Sequence, residues 1–225
     1  MKLPLILTNF KTYESATGAK ALALAKIHQK VSDETGVQLA VAVQLADLAA
    51  VAAVVSIPVF AQHVDAIGYG ANTGYVLPEA VKAAVAYGTL LNHSEHQLDL
   101  DTLRESIARA QEAGLFVIAC AQDNVEAEKV LAMGPNLIAV EPPGLIGGDI
   151  SVATAQPELI KASVAIGGGR DNRIILVGAG VKNSEDVRVS LELGACGVLL
   201  ASGVCKAADP EAVLRDLVSG VLTVA

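Results

Sequence analysis

Apolar residues along the chain gather in eight short runs: Leu5 to Asn9 (LILTN), Gln38 to Val43 (QLAVAV), Pro58 to Gln62 (PVFAQ), Thr89 to His93 (TLLNH), Leu115 to Ala121 (LFVIACA), Leu137 to Glu141 (LIAVE), Ile174 to Gly178 (IILVG) and Gly197 to Ala201 (GVLLA). Each is short, rich in branched side chains and uninterrupted by polar residues. That is the signature of a strand buried on both faces, as in a parallel sheet. Their starts lie roughly 20 to 37 residues apart, enough for one crossover helix in each gap. The gaps carry helical patterning. Leu24, Ile27 and Val31 share one stripe and Gly36 follows as a stop signal. Asn183 is placed to cap a helix through Val187 and Leu191 that ends at Gly194. Asp209 and Pro210 open a further helix with its apolar face on Val213, Leu214, Leu217 and Val218. Eight βα units predict a closed (β/α)8 barrel over residues 1–225, in one domain.

Composition narrows the picture. Hydrophobic residues make up 52% of the chain and aromatics only 3%, so Ala, Val, Leu and Ile must build the core. The net charge of −8, with no basic run, argues against extended nucleic-acid binding. An anionic small molecule stays possible if local cations and backbone dipoles supply its field. No apolar run is long enough for a membrane span, and the apolar start at Leu3 to Leu7 is too short for a signal segment. Cys120, Cys196 and Cys205 are odd in number and lack metal or disulfide spacing, which points to buried thiols in a reducing, cytoplasmic setting.

In such a barrel, chemistry sits where strands end. The first strand ends in Asn9 and Lys11. The fourth ends in Asn92, His93, Ser94 and Glu95. The sixth ends in Glu141, the seventh in Gly178 to Gly180, and the eighth in Ala201 to Gly203. Each residue alone has a bland reading as a solvated lysine, a strand-end histidine, a surface acid or an ordinary turn. Together they place a cation, an imidazole, a carboxylate and two small-residue loops on one rim. The glycine-rich stretch 165–172 precedes a strand rather than following one, and is read as a plain loop at the opposite end.

The segments NFK, NHSEH, VEPPGLIGG, VGAGV and GVLLASGV, in this order from Leu5 to about Asp209, are similar to the signatures of triosephosphate isomerases in their short archaeal form. The resemblance implies interconversion of dihydroxyacetone phosphate and D-glyceraldehyde 3-phosphate, a step of glycolysis and gluconeogenesis. It makes Glu141 the base, His93 a neutral electrophile, and Asn9 and Lys11 substrate-site residues. It places the substrate phosphate near Ile146, Gly147, Gly178, Gly180, Ala201 and Ser202, with Ser94 and Glu95 behind the site and Glu95 set to position Lys11. A short helix starting within His93 to Asp99 would suit a neutral His93. The stretch PPGLIGGD (142–149) corresponds to a closing loop, although Gly147 to Asp149 stand where the family has Gly-Thr-Gly, and Gly144 where archaeal relatives often carry an acid.

Residues 65–76 resemble the loop through which family members pair, so Tyr69, Asn72 and Tyr75 are interface candidates for a homodimer or homotetramer. His63 is expected to make a structural hydrogen bond near that loop, and His28 and His96 to lie on solvated surface. Neither metal-ligand spacing nor a dinucleotide-binding GxGxxG is present, so no metal or cofactor is expected. Two other readings remain at this point: another phosphate-binding barrel isomerase or synthase, and a catalytically silent barrel serving as a binding scaffold.

Overall fold

The computed structural model describes residues 1–145, 151–169 and 174–224. Eight parallel strands form a closed barrel: β1 (Leu5–Asn9), β2 (Gln38–Val43), β3 (Val59–Ala61), β4 (Gly88–Leu91), β5 (Phe116–Ala121), β6 (Leu137–Val140), β7 (Ile175–Gly178) and β8 (Gly197–Leu200). Closure runs through β1, which pairs with β2 from Leu5↔Gln38 to Asn9↔Ala42 and with β8 from Leu5↔Gly197 to Thr8↔Leu200. The helices are α1 (Ala19–Thr35), α2 (Leu45–Ala52), α3 (Pro78–Ala83), α4 (Leu100–Glu112), α5 (Asn124–Leu131), α6 (Val152–Ala155), α7 (Pro157–Ile166), α8 (Ser184–Glu192), α9 (Ser202–Cys205) and α10 (Pro210–Leu222).

The eight sequence runs are the eight strands: β1 and β2 keep their predicted bounds, β4 begins one residue earlier, and β3 to β8 lose one or two residues at their ends. The trimming at β4 has a local cause. Asn92 turns to φ 57°, outside the extended region, so the strand stops at Leu91. The predicted stops and caps are in place: Gly36 closes α1 at φ 73°, Asn183 accepts from the Asp186 N–H, and Asp209 accepts from the Ala212 N–H. The stretch 165–172, read as a plain loop, starts inside α7 with Ala165 and Ile166, the loop proper begins at Gly167 to Gly169, and residues 170–172 lie outside the described residues.

Alternation along the strands makes two cores. Leu5 and Leu7 join Phe60, Leu90, Ile118 and Leu176 inside the barrel, while Ile6, Val41, Val117 and Val198 face the helices. With so few aromatics, small residues set how closely strands approach. Gly197 lies so near β1 that a Cβ there would stand 2.0 Å from the Leu5 carbonyl oxygen. The three cysteines are buried and none is in a disulfide.

His28 departs from expectation. It is fully buried rather than solvated, between α1 and β1. Its Nδ1 lies 2.8 Å from the Leu24 carbonyl, which can only accept, so Nδ1 carries the proton. Nε2 therefore accepts from the Thr8 hydroxyl at 2.8 Å. The helix stripe of Leu24 and Val31 extends over position 28, and Thr8, a polar residue of β1, supplies the partner that makes a buried imidazole tolerable.

Burial pushes the pKa of His28 down to about 4, partly offset by its bond to Leu24. In the unfolded chain it titrates near 6.5. Between these values the unfolded chain binds a proton that the folded chain refuses. The stability contributed by neutral His28 is thus complete above about pH 6.5 and declines as pH falls toward 4, by about 1.4 kcal/mol per unit and ~3 kcal/mol in all. We expect His28→Gln to be less stable at pH 7 yet flatter in its pH dependence when denaturant midpoints are compared from pH 7 to 4.5. Parallel curves for the two proteins would exclude His28 as the titrating group.

Candidate active site

The rim at the strand C-termini carries three strained non-glycine residues: Lys11 at φ 46°, Asn92 at φ 57° and Ala179 at φ 76°. Such backbone is held only where surroundings over-determine it, and it clusters at working sites. Lys11 and Ala179 line one cavity, open to solvent on one side, and Asn92 precedes the lining residue His93; the wall also includes Asn9, Glu141, Gly180 and Ser202.

His93 follows β4 and is buried. No helix begins at this point. Residues 93–96 make one turn, closed by the His96 N–H donating to the His93 carbonyl at 2.7 Å, and α4 starts only at Leu100 under an Asp99 cap. The cause is Asn92: its amide donates to the Cys120 carbonyl and to Glu126, and accepts from the Leu98 N–H, pinning the chain from 92 to 98 in a loop. The turn still serves the imidazole. The Glu95 N–H donates to Nδ1 at 3.1 Å, so a neutral ring carries its proton on Nε2. Burial lowers the His93 pKa, the nearby Lys11 ammonium lowers it further, and Glu95 opposes both. Neutral is therefore the favoured form.

Glu141 follows β6 and is buried. Its Oε2 lies 3.6 Å from His93 Nε2, too far for a hydrogen bond, and has no hydrogen-bond partner among the described residues. Desolvation raises its pKa to about 7, against the opposing pull of a hydrogen bond from the Cys120 thiol and the charge of Lys11. Gly178, at the end of β7, packs against Glu141, where a Cβ would come within 2.4 Å of the Glu141 Cγ and 2.5 Å of Oε1. Its missing side chain is what gives the carboxylate room.

Lys11 extends across the cavity mouth to Glu95, with Nζ to Oε1 at 2.7 Å. Glu95 thus touches Lys11 through its side chain and His93 through its backbone, while its neighbour Ser94 is only half-buried and outside the cavity lining. Ala201 and Ser202 bring the first turn of α9 to the cavity opposite Gly180. N–H groups in the first turn of a helix lack intrahelical partners and favour anions. Ile146 and Gly147 lie outside the described residues. The sequence places Asn92 on the rim and Cys120 among the buried thiols but gives neither a part in the site, and it gives Gln62 none. Gln62 closes the third apolar run and so stands at a strand end, which was a usable signal; the thiol contact of Cys120 left none.

His63 bonds Asp65 at 3.2 Å, as expected, and stacks on exposed His96 with ring centroids 4.3 Å apart. No group of three or more His, Cys, Asp or Glu side chains that could hold a metal occurs among the described residues. None of their helices is long and apolar enough to cross a membrane.

The triosephosphate isomerase family model matches residues 4–220. The triosephosphate isomerase of Methanosarcina barkeri is 46% identical over 219 residues, 97% of this chain and 99% of that protein. The Methanothermobacter thermautotrophicus enzyme is 44% identical, covering 97% and 96%, and that of Methanocaldococcus jannaschii 43%, covering 95% and 98%. The crystal structure of triosephosphate isomerase from Bartonella henselae superposes with a TM-score of 0.75 at 17% identity, over 95% of this chain and 98% of that one, and shares the fold. By sequence over nearly its whole length, the chain belongs to the triosephosphate isomerase family.

Proposed function

We propose that this chain interconverts dihydroxyacetone phosphate and D-glyceraldehyde 3-phosphate, as glycolysis and gluconeogenesis require, with Glu141 moving the proton between the two carbons. The observation that carries the assignment of roles is the unpartnered oxygen of buried Glu141 facing the protonated nitrogen of His93 at 3.6 Å. The Glu141 carboxylate takes a proton from the carbon beside the carbonyl, and the electron pair moves onto the carbonyl oxygen to give an enediolate. Nε2–H of His93 and the ammonium of Lys11 face that oxygen and stabilise its charge. A proton then passes from the neighbouring hydroxyl to that oxyanion, a transfer within reach of the His93 Nε2–H; returning the first proton to the neighbouring carbon, as a carbonyl re-forms at the carbon that lost it, completes the isomerisation. Burial makes the carboxylate a stronger base than it would be in water. Asn9 shares the polar end of the cavity, and Gly180, Ala201 and Ser202 form the end suited to a phosphate, with Ile146 and Gly147 assigned to it by family resemblance. No metal or cofactor is needed for this chemistry.

We read the whole chain as one catalytic barrel that works in the cytoplasm as a homodimer or homotetramer. Support for the assembly comes from the loop 65–76, where Tyr69 and Tyr75 are 81% and 61% exposed on a well-braced backbone. Arg109 donates to the Ile67 carbonyl through Nε and Nη2, and Asp65 accepts from the Val76 N–H at 2.6 Å. Exposed aromatics on a rigid loop suit a protein interface.

Glu141→Asp withdraws the base by one methylene and is expected to lower kcat by on the order of 10²-fold with little change in KM. Near wild-type kcat would remove Glu141 from this role. His93→Gln is expected to cost ~10²–10³-fold in kcat while circular dichroism stays native; an unfolded variant would return His93 to a structural part.

The pH dependence has a defined sign. The base must be ionised, and its pKa is raised to about 7. Therefore kcat/KM is expected to fall below about pH 7, approaching tenfold per unit. An acid limb centred near the ordinary glutamate value would show that Glu141 is solvated in the working enzyme.

A further inference from the structure

We propose that Gln62 is a positioning residue that sets Lys11 and Asn9 together for the isomerase reaction, an assignment that rests on the isomerase reading above. Lys11 holds its ammonium over the cavity from a left-handed backbone, φ 46°, that a lysine does not adopt unaided. Something must fix that backbone. Gln62, half-buried at the end of β3, reaches across the intervening strand β2 to do so. Its Nε2 donates to the Lys11 carbonyl at 3.0 Å and to Asn9 Oδ1 at 3.2 Å, with the Ala42 carbonyl at the limit, 3.5 Å.

The orientation of both amides follows from fixed donors and acceptors. The Lys11 N–H can only donate, and it donates to the Asn9 side chain at 3.0 Å, so Asn9 must present Oδ1 there. Gln62 then meets three oxygens, two of them main-chain carbonyls, and must present its NH₂ group. Its two hydrogens match the two shorter contacts. With Asn9 Oδ1 held by these two donors, Nδ2 is the Asn9 group left to face a ligand. One amide therefore sets the backbone under the cation and the rotamer of the neighbouring donor.

Neither substitution of the amide is neutral in this geometry. A methionine fills the same length but donates nothing, leaving Lys11 in a strained conformation with one support fewer. A carboxylate would turn oxygen toward three oxygens. It would also compete with Glu95 for the Lys11 ammonium, which now lies 2.7 Å from Glu95.

The test is a double-mutant cycle of Gln62→Met and Lys11→Met, read from kcat/KM for triose phosphate, with far-UV circular dichroism and thermal midpoints alongside. Gln62→Met alone is expected to lose about 10–100-fold, the scale of an ångström-sized misplacement, with its secondary structure intact. In the Lys11→Met background the same change should cost at least about threefold less than it does alone, because the ammonium it positions is gone and only Asn9 is left to be misplaced. An equal loss in both backgrounds, or a single variant within about twofold of wild type, would overturn the proposal. Should Gln62→Met fail to fold, the cycle is read with Gln62→Asn, which keeps the donor one methylene short. Failure of both to fold would make Gln62 structural and overturn the positioning role. Wild-type turnover by Lys11→Met alone would refute the isomerase reading itself, and this proposal with it.

Discussion

A carboxylate kept out of water is the constraint on which this molecule is arranged. Glu141 gains its basicity from burial, and burial of a charge is unfavourable unless the surroundings are built for it. They are built from small and weakly polar groups. Gly178 leaves the space, the Cys120 thiol gives one modest hydrogen bond, and one oxygen is left without a partner among the described residues. A stronger donor at Cys120 would hold the charge more firmly and weaken the base. The opposing cation, Lys11, is tied up by Glu95 at 2.7 Å, and so draws less on Glu141 than an unpaired ammonium would.

The same economy governs His93. An imidazole placed between two carboxylates would ordinarily gain a proton. Here burial and Lys11 act against protonation, while the Glu95 N–H occupies Nδ1 and leaves the proton on the nitrogen that faces Glu141. The turn that does this is short and depends on Asn92, whose side chain holds three separate partners around it. The residue before the imidazole is thus as much part of the site as the residue after it.

Much of this was legible in the sequence, and the reason is local. Strands showed as branched apolar runs, helix ends as Asn183, Asp209 and Gly36, and the rim residues as polar groups where apolar runs stop. What escaped notice was decided by contacts distant in the chain. His28 looks like a surface histidine until Thr8, 20 residues earlier, is seen to receive it. Gly178 reads as a turn glycine, and nothing near it in the chain shows that it packs against Glu141, just past the end of the adjacent strand. Gln62 closes an apolar run like any polar residue, and its two acceptors lie 53 and 51 residues away. Periodicity reports which face is buried, but not which buried groups meet.

The three thiols have a practical consequence. Cys120 lies against Glu141, the Cys205 thiol lies 3.7 Å from the Asn9 carbonyl, and Cys196 begins the last strand's approach to the barrel floor. All are sealed from solvent in the folded protein. Burial also pushes the thiols of Cys120 and Cys205 up, well away from the reactive thiolate. The protein therefore carries its own reporters of breathing: a thiol reagent reacts only as fast as the chain opens, and the order in which the cysteines are modified tells whether the catalytic mouth or the barrel floor opens first.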